Sequence, residues 1–297
     1  MRQISRAVCL TLVCFVVSVS LAAQDSFKVR TDMLVSTDWL AEHLNDPNVV
    51  IIHFARYRGD YDRAHIPGAR FLRTNQLVSD NQETTFELPP VADLQKALES
   101  IGVGDKGRII IYGTQAPPTT TRAYFTLDYL GLGDRVALLD GGIEKWKAEK
   151  RAISTETPKI TPAKLTVHPR PEVVAKYDEV RRITDSTEPA VLLLDARPMS
   201  RYKDGHLAGA TDLFWVDTLT SREVPSWKSP DELRKMFEAA GFRPGSKIIT
   251  YCEVGQQATH AYFTAKYLGY TVSMYDGSYD EWTSAKDAPV VKGDAKR

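Results

Sequence analysis

The stretch that decides the fold reads Lys247-Ile-Ile-Thr-Tyr251-Cys252-Glu-Val-Gly-Gln-Gln257. Its first five residues are typical of a buried strand, and Gln257 leads into a helical pattern. That pattern has apolar or small residues at the spacing of one buried helix face, at Ala258, Ala261, Tyr262, Ala265 and Leu268. A strand, a tight loop and a helix therefore meet at Cys252. Because open α/β folds bind ligands at the carboxyl edge of the sheet, we predict a functional site here.

The loop that begins at Cys252 predicts a reactive thiol. In such a turn, successive backbone N–H groups can point at Sγ, with the positive end of the helix dipole behind them. A free cysteine has a pKa of about 8.5, and this environment is expected to lower it and favour the thiolate. Gly255 suits a backbone that curls tightly. The alternative interpretation is a small buried hydrophobic residue at a strand end.

The same pattern occurs twice along the chain. Three segments of the first half recur in the same order in the second: Ala64-His-Ile-Pro-Gly-Ala69 as Gly205-His-Leu-Ala-Gly-Ala210, Ile109-Ile-Ile-Tyr112 as Ile248-Ile-Thr-Tyr251, and Ala123-Tyr-Phe-Thr-Leu-Asp-Tyr-Leu-Gly131 as Ala261-Tyr-Phe-Thr-Ala-Lys-Tyr-Leu-Gly269. Repetition of this kind predicts duplicated domains.

Each copy alternates short apolar runs with helical patterns. The runs predict strands at residues 49–54, 108–112, 135–139, 191–195, 247–251 and 271–274. Helices are expected between them, for example at residues 91–100 and 230–240. This alternation predicts the α/β class, with two tandem domains that each contain a parallel sheet flanked by helices.

The predicted organisation has five parts. They are a signal peptide at 1–23, a first domain at 30–153, a connector at 154–172, a second domain at 173–291 and a tail at 292–297. The connector contains four prolines and is expected to be extended. In the signal peptide, Arg2 and Arg6 precede an apolar run, and small residues precede Gln24. We therefore expect export to the periplasm or the medium, with no stable membrane insertion after cleavage.

Cleavage of that segment has two consequences. It removes Cys9 and Cys14, so that Cys252 is the one remaining cysteine of the three, and a lone cysteine in an oxidising compartment favours a functional role. It also changes the balance from 38 basic and 38 acidic residues to 36 and 38, because Arg2 and Arg6 are lost. No basic stripe is present, so nucleic acid is not expected as a partner.

The two copies differ where chemistry is expected. After Tyr112 the first copy has Gly113 in place of the cysteine, and its loop is one residue longer. Only the second copy can therefore be a thiol catalyst. The first is either a scaffold that covers one side of the active cleft or a packed relic.

These segments resemble the tandem-domain rhodanese-like sulfurtransferases, in which an inactive first domain packs on a catalytic second one. The resemblance covers nearly the whole mature chain. It rests on Asp195-Ala-Arg197, Arg201-Tyr202, Gly205-His-Leu-Ala-Gly-Ala210, the Cys252 loop and Asp276-Gly-Ser-Tyr-Asp-Glu-Trp282, in family order. It implies that the cysteine takes a sulfane sulfur from thiosulfate or 3-mercaptopyruvate, becomes a persulfide, and passes the sulfur to cyanide or another thiophilic acceptor. It implies no cofactor and no metal.

The resemblance also assigns the site residues. It implies Cys252 as the nucleophile and Arg201 as the arginine that faces an anionic donor, a role that suits a guanidinium. The implied substrate-binding residues of the loop are Glu253, Val254, Gly255, Gln256 and Gln257.

The neighbours of the site are expected to be structural. Asp195 and Arg197 should form an ion pair, and His206 should be a hydrogen-bonded structural histidine. Asp276 and Trp282 are expected to be turn and packing residues. His260, early in the following helix, is expected to face solvent and is given no role.

One residue departs from the family pattern. Family loops commonly read Cys-Arg-Lys-Gly-Val-Thr or Cys-Gly-Ser-Gly-Val-Thr, whereas this chain has Glu253 after the cysteine. Two like unit charges about 6 Å apart repel by roughly 3 kcal/mol at an effective dielectric constant of about 20. Glu253 should therefore point away, pair with an arginine or weaken anionic donors, so the sequence does not determine the donor.

The sequence bears on two other functions. A phosphatase of related fold needs an arginine six positions after the cysteine, and that position is Ala258, which makes phosphatase activity improbable. A non-enzymatic sulfur-sensing or protein-interaction module remains open as the alternative.

Overall fold

The strands of the first half form one parallel sheet. In this computed structural model, which describes residues 28–79, 86–114, 117–186 and 190–296, the strands are β1 (Leu34–Val35), β2 (Val49–Ala55), β3 (Arg70–Arg73), β4 (Arg108–Tyr112) and β5 (Val136–Leu139). Their order is β1-β5-β4-β2-β3, and every neighbouring pair is parallel. The helices are α1 (Thr37–Glu42), α2 (Arg58–Arg63), α3 (Val91–Ser100), α4 (Pro117–Tyr129) and α5 (Gly142–Ala148).

The second half repeats this sheet. Its strands are β6 (Val174–Ala175), β7 (Val191–Asp195), β8 (His206–Leu207), β9 (Ala210–Asp212), β10 (Lys247–Tyr251), β11 (Thr271–Tyr275) and β12 (Val290–Val291). The parallel sheet has the order β6-β11-β10-β7-β9, while β8 and β12 form a separate antiparallel pair. The helices are α6 (Tyr177–Asp185), α7 (Met199–Asp204), α8 (Pro230–Ala239), α9 (Gln257–Tyr267) and α10 (Ser278–Ser284).

The predicted α/β class with two tandem parallel sheets is confirmed. Helices cover both faces of each sheet, so the side chains on both faces of a strand are buried. The strands are therefore continuous apolar runs without polar alternation. In β4, for instance, the residues from Ile109 to Tyr112 are all buried. The helix α8 begins with a capping box between Ser229 and Glu232 and has Pro230 in its first turn. The predicted signal peptide lies outside the described residues.

The two halves pack through the helices α4 and α9, which follow the central strands β4 and β10. Aromatic rings meet edge to face across this interface, with centroids 4.9 Å apart for Tyr124 and Phe263 and 5.1 Å apart for Phe125 and Tyr262. Both rings of each pair belong to one apolar core that extends through both halves. Such edge-to-face pairs add about 0.5–1.5 kcal/mol beyond their buried area. The two sheets are therefore held in one fixed arrangement.

A buried carboxylate reinforces the same interface. Asp128 on α4 accepts hydrogen bonds from the Tyr262 hydroxyl at 2.5 Å and from Arg170 Nη1 at 3.0 Å, and it also contacts the Lys266 ammonium. Because a buried charge is costly unless it is paired, these partners fix the position of α4 against α9.

The connector between the sheets runs along the first half. Its backbone N–H groups at Ala163, His168 and Arg170 donate to carbonyls of Glu99, Leu130 and Tyr129. Residues 155–170 contain no helix or strand, and the buried Leu165 accepts a hydrogen bond at its carbonyl from Gln95 Nε2 at 2.8 Å. Among the helices of the described residues, none has the length and apolar character needed to cross a membrane.

Candidate active site

The candidate site lies at the carboxyl edge of the second sheet. Cys252 directly follows β10, a strand that pairs with β7 on one side and β11 on the other. Its side chain is 1% exposed, and it is the one cysteine among the described residues, with a free thiol. The predicted order of strand, loop and helix is confirmed, since α9 begins at Gln257.

The first carbonyls of the loop are bound by the start of α10. The N–H of Tyr279 donates to the Cys252 carbonyl and the N–H of Asp280 donates to the Glu253 carbonyl, both at 3.0 Å. Ser278 accepts a hydrogen bond from the Cys252 N–H at 3.2 Å and donates to the Tyr275 carbonyl at 2.9 Å. The helix N-terminus thus satisfies these carbonyls on the outer side of the loop.

The turn of the loop occurs at Gly255. Its φ of +78° lies in the left-handed region that favours glycine. A Cβ at this position would lie 2.4 Å from the Asp276 carbonyl oxygen. The Gly255 carbonyl accepts a hydrogen bond from Nη1 of Arg122 at 3.2 Å, and this arginine belongs to the first half. The residue must therefore be glycine for both conformational and steric reasons.

The pKa of Cys252 is the net result of two opposing effects. Burial of the side chain raises the pKa above the usual cysteine value. Four backbone N–H groups point at the sulfur and act in the opposite direction, those of Ala258, Val254, Gln257 and Gly255. The net pKa is raised, so the expectation of a lowered pKa is wrong in direction.

The physical reason for this correction is desolvation, which disfavours the charged form of a fully buried thiol. The amides nevertheless surround the sulfur as the turn geometry predicted. A hydrophobic residue of the kind considered as the alternative does not need four N–H groups at its sulfur. The arrangement can stabilise negative charge on sulfur as that charge develops during a reaction.

Glu253 is paired with two arginines, which is one of the three outcomes expected for it. Its carboxylate lies 3.2 Å from Nη1 of Arg197 and 3.6 Å from Nη2 of Arg201. Arg201 is 58% exposed and Glu253 is 40% exposed, so solvent reaches this pair. Arg201 therefore lies beside the loop as predicted, but with a carboxylate already at its guanidinium.

The predicted ion pair of Asp195 and Arg197 is confirmed. Arg197 Nη2 lies 2.7 Å from the Asp195 carboxylate, and both side chains are buried. Burial opposes the charged form of Arg197, but the hydrogen bonds and the charge of Asp195 raise its pKa above the usual value. The guanidinium also stacks 4.0 Å above the Tyr279 ring and donates to the Gly205 carbonyl at 2.7 Å. Arg197 thereby fixes the wall behind Glu253.

His206 is a structural histidine, as predicted. Its ring nitrogens lie 2.8 Å from the carbonyls of Tyr202 and Ala295. Trp282 is fully buried in the core, so its packing role is also confirmed. Asp276 is more than a turn residue, because its carboxylate binds both terminal nitrogens of Arg122, at 2.5 and 3.2 Å.

The expectation that His260 faces solvent is wrong. Its side chain is fully buried, its ring stacks on Trp227 with centroids 4.9 Å apart, and its Nε2 lies 2.8 Å from the Thr218 hydroxyl. Burial lowers its pKa to about 3. The reason is tertiary, since Trp215, Thr218 and Trp227, which lie far before α9 in the sequence, cover this side of the helix.

A cleft of about 870 Å³ connects the loop to the first half. Gln256 lines it, together with first-half residues that include Arg56, Arg73, Thr119 and Arg122. Gln257 begins α9 and contributes its N–H to the sulfur, as does Val254. The structure thus brings Arg201 to Glu253, the residue that follows Cys252, and places Gln256 at the cleft.

Arg122 is the site residue that sequence reasoning missed. A signal was present, because an arginine stands beside the repeated segment that begins at Ala123, and the matched residue of the second half is His260. Its partners Gly255 and Asp276 are 133 and 154 residues away in the chain.

Comparison with protein families matches the rhodanese-like domain model to this chain twice, at residues 36–149 and 177–285. The chain belongs to the rhodanese-like family. The predicted resemblance is confirmed, and both copies of the repeat are rhodanese-like domains.

Related proteins identify the class of activity. The sulfur carrier protein TtuD of Thermus thermophilus is 30% identical over 289 residues, which cover 89% of this chain and 98% of the relative. A relative from Mycobacterium bovis, named thiosulfate sulfurtransferase 1 by inference, is 29% identical over 280 residues, which cover 89% of this chain and 99% of the relative. The 3-mercaptopyruvate sulfurtransferase of Escherichia coli is 27% identical over 284 residues, 88% of this chain and 99% of the relative. The predicted enzyme class, sulfurtransferase, is consistent with these names.

Solved structures confirm the fold alone. An anaerobic ergothioneine biosynthesis enzyme from Chlorobium limicola superposes with a TM-score of 0.78 at 22% identity, over 88% of this chain and 70% of that one. The structure of YnjE gives a TM-score of 0.76 at 23% identity, over 89% and 69% of the two chains.

Proposed function

We propose that this protein transfers a sulfane sulfur from thiosulfate or 3-mercaptopyruvate, through a persulfide on Cys252, to cyanide or another thiophilic acceptor. The observation that carries the proposal is the ring of four loop amides aimed at the Cys252 sulfur. Such preorganised donors stabilise a negative charge that is held first by the thiolate and then by the terminal persulfide sulfur. The names of the sulfurtransferase relatives support the same chemistry.

The reaction has two displacement steps. With thiosulfate, the Cys252 thiolate attacks the outer sulfur, a new S–S bond forms, and sulfite leaves with the electron pair of the broken S–S bond. Cyanide then attacks the terminal sulfur of the persulfide, thiocyanate forms, and the thiolate is regenerated. Both steps need the same amide ring, so the loop requires little rearrangement between them.

Arg201 is proposed to receive the anionic group of the donor. Its guanidinium is exposed on one side, and carboxylate or sulfonate oxygens match its fork of donors. Glu253 already occupies part of that fork, so the donor must share Arg201 with this carboxylate or displace it. Glu253, Val254, Gly255, Gln256 and Gln257 are proposed to line the donor site through the loop backbone and the two amide side chains.

The test combines turnover with intact mass. The full chain is incubated with cyanide and either thiosulfate or 3-mercaptopyruvate while thiocyanate is measured. The Cys252→Ser variant is assayed in parallel, and because it keeps Cys9 and Cys14 it tests Cys252 alone. Turnover with at least one donor, its loss in the variant, and one added sulfur after donor alone are expected. Absence of both adduct and turnover with either donor contradicts the proposal.

A second function is favoured by a specific observation. One relative is named a sulfur carrier protein, and the Cys252 thiol is buried with a raised pKa. A carrier accepts a persulfide sulfur once and holds it for a partner protein. An adduct of one sulfur on Cys252 that forms without multiple turnovers to cyanide supports the carrier, whereas repeated turnover supports the enzyme.

The location of the protein is a separate proposal. We propose export to the periplasm or the medium after cleavage near residue 23, because the first residues combine Arg2 and Arg6 with an apolar run. Fractionation of expressing cells and N-terminal sequencing test it. Recovery in the cytoplasm with Met1 retained contradicts it.

A further inference from the structure

A buried arginine of the first half reaches the cysteine loop of the second. Arg122 lies on α4, and its side chain is 1% exposed. Its two terminal nitrogens bind the two carboxylate oxygens of Asp276, and Nη1 also donates to the Gly255 carbonyl at 3.2 Å. These hydrogen bonds fix the plane of the buried guanidinium group, so it can adopt few other orientations.

The bond to Gly255 adds to the binding of the loop carbonyls. Those of Cys252 and Glu253 are bound by N–H groups of α10, and that of Gln256 by the Thr259 hydroxyl at 2.7 Å. All of these partners belong to the second half. Among the hydrogen bonds of the described residues, the Gly255 carbonyl is the one in this loop that is bound from the first half.

This carbonyl lies between two of the amides that point at the sulfur. The Gly255 N–H precedes it in the chain and the Gln257 N–H follows it, and both act on Cys252. Arg122 binds this carbonyl and thereby restrains the peptide plane that joins Gly255 to Gln256, which lies in the chain between these two amides. The contact of Gly255 with Asp276 leaves no space for the turn to shift toward β11.

The matching position on the other side of the interface lacks this device. His260 replaces the arginine there and binds the Thr218 hydroxyl. Asp140, which matches Asp276 in the repeat, accepts instead from the Trp227 N–H at 2.9 Å and from Lys145. The arginine is therefore present only where the facing loop carries a sulfur, among the residues described.

We propose that Arg122 is a positioning residue of the sulfur-transfer site: by holding the Gly255 carbonyl it keeps the loop amides aimed at Sγ of Cys252. The first half thereby takes part in the reaction without touching the sulfur. The inference rests on the proposed function of Cys252, but its test does not use a sulfur donor.

The experiment measures the pH dependence of Cys252 alkylation by iodoacetamide, followed on the peptide that contains Cys252. In Arg122→Lys the charge opposite Asp276 is kept, but the fork that also reaches Gly255 is lost. The thiol pKa should rise by about one unit, which makes alkylation at neutral pH about tenfold slower. The rate at high pH, where the thiol is ionised, should be restored.

A second variant guards against misfolding. Arg122→Met combined with Asp276→Asn removes both charges, so that neither is left buried without its partner. The same rise in thiol pKa is expected. Asp128→Asn is the matched control, because Asp128 holds α4 against α9 across the interface between the halves without touching the loop. It should lower the melting temperature and leave the alkylation profile unchanged.

Two outcomes overturn the inference. If the Arg122 variants melt earlier but keep the wild-type profile, Arg122 is merely structural. If Asp128→Asn shifts the profile equally, general loosening of the interface is the cause. Failure of the proposed function is distinguishable from both, since it appears as absent thiocyanate production by the wild type, whatever the alkylation profile shows.

Discussion

The two halves keep the same scaffold around loops of opposite character. Each central strand ends in a tyrosine whose hydroxyl accepts a backbone N–H: Tyr112 from Ile66 at 3.0 Å and Tyr251 from Leu207 at 3.2 Å. Each half also stacks a tyrosine on the histidine of its repeated segment, with centroids 3.8 Å apart for Tyr61 and His65 and 3.6 Å apart for Tyr202 and His206. The support of both loops is thus the same, and the difference lies in the loops and their facing residues.

The first half lacks space as well as sulfur. A Cβ on Gly113, which matches Cys252, would lie 2.8 Å from the Phe54 carbonyl oxygen and 2.9 Å from Cγ2 of Thr120. His53, which pairs with Tyr112 as Asp195 pairs with Tyr251, stands where the second half has Asp195, so among the described residues the buried ion pair beside the loop has no counterpart in the first half. Of the two expectations for the first half, the Arg122 contact favours a scaffold over a relic. The comparison shows that a loop's chemistry depends on its neighbours as much as on its nucleophile.

The largest expected effect comes from moving the thiol between the halves. Cys252→Ala combined with Gly113→Cys should lose sulfur transfer by about 1,000-fold or more, because the nucleophile is removed from the amide ring and the new one has no space. Thiocyanate production measures the loss, with Cys252→Ala alone as the control. Activity of the double variant clearly above that control contradicts the comparison, because it means that the first loop can also activate a thiol.

Much of this comparison could be predicted from sequence because it is local. The strands follow from apolar runs, and the ion pair joins Asp195 at the end of β7 to Arg197 just after it. The raised pKa of Cys252 could not be predicted, because it depends on how deeply the fold buries the loop. The burial of His260 depends on Trp227 and Thr218, and the reach of Arg122 depends on the packing of the two halves, so both rest on residues that are distant in sequence.

The second effect concerns stability. Gly113→Ala should lower the free energy of unfolding by about 1–3 kcal/mol, because the added methyl group meets the Phe54 carbonyl and Thr120 at short distances. Gly59→Ala is the matched control: it lies in α2, where a Cβ has ordinary contact with Arg63, and it should be neutral or stabilising by up to about 1 kcal/mol. Urea unfolding measures both. Equal stability of the two variants would show that the first loop is not tightly packed.

The third effect is the pH dependence of stability that is due to His260, the residue that matches Arg122 in the second half. Burial lowers the pKa of His260 to about 3, below an unfolded value of about 6.5. As pH falls below that unfolded value, the unfolded state binds a proton that the folded state does not, so stability decreases. The slope for one such histidine is at most about 1.4 kcal/mol per pH unit.

This slope can be assigned to His260 by substitution. Urea unfolding at pH 7.5, 6.5 and 5.5 should show a smaller loss of stability in His260→Gln than in the wild type. His53 adds a similar contribution, since burial lowers its pKa to about 4, so part of the slope should remain in the variant. Parallel pH profiles of wild type and His260→Gln contradict the prediction.

The smallest effect concerns Glu253, the second residue of its loop, where the first half has Thr114. Glu253→Gln frees Arg201 from a partly exposed pairing at 3.6 Å, and such pairings contribute about 0–1 kcal/mol. The KM for thiosulfate should therefore fall about threefold with kcat little changed. Glu253→Asp keeps the charge and is the control. The advantage of the Gln variant should shrink at high salt, because screening weakens exposed charge interactions. An increase in KM would instead show that Glu253 helps to orient Arg201 for the donor.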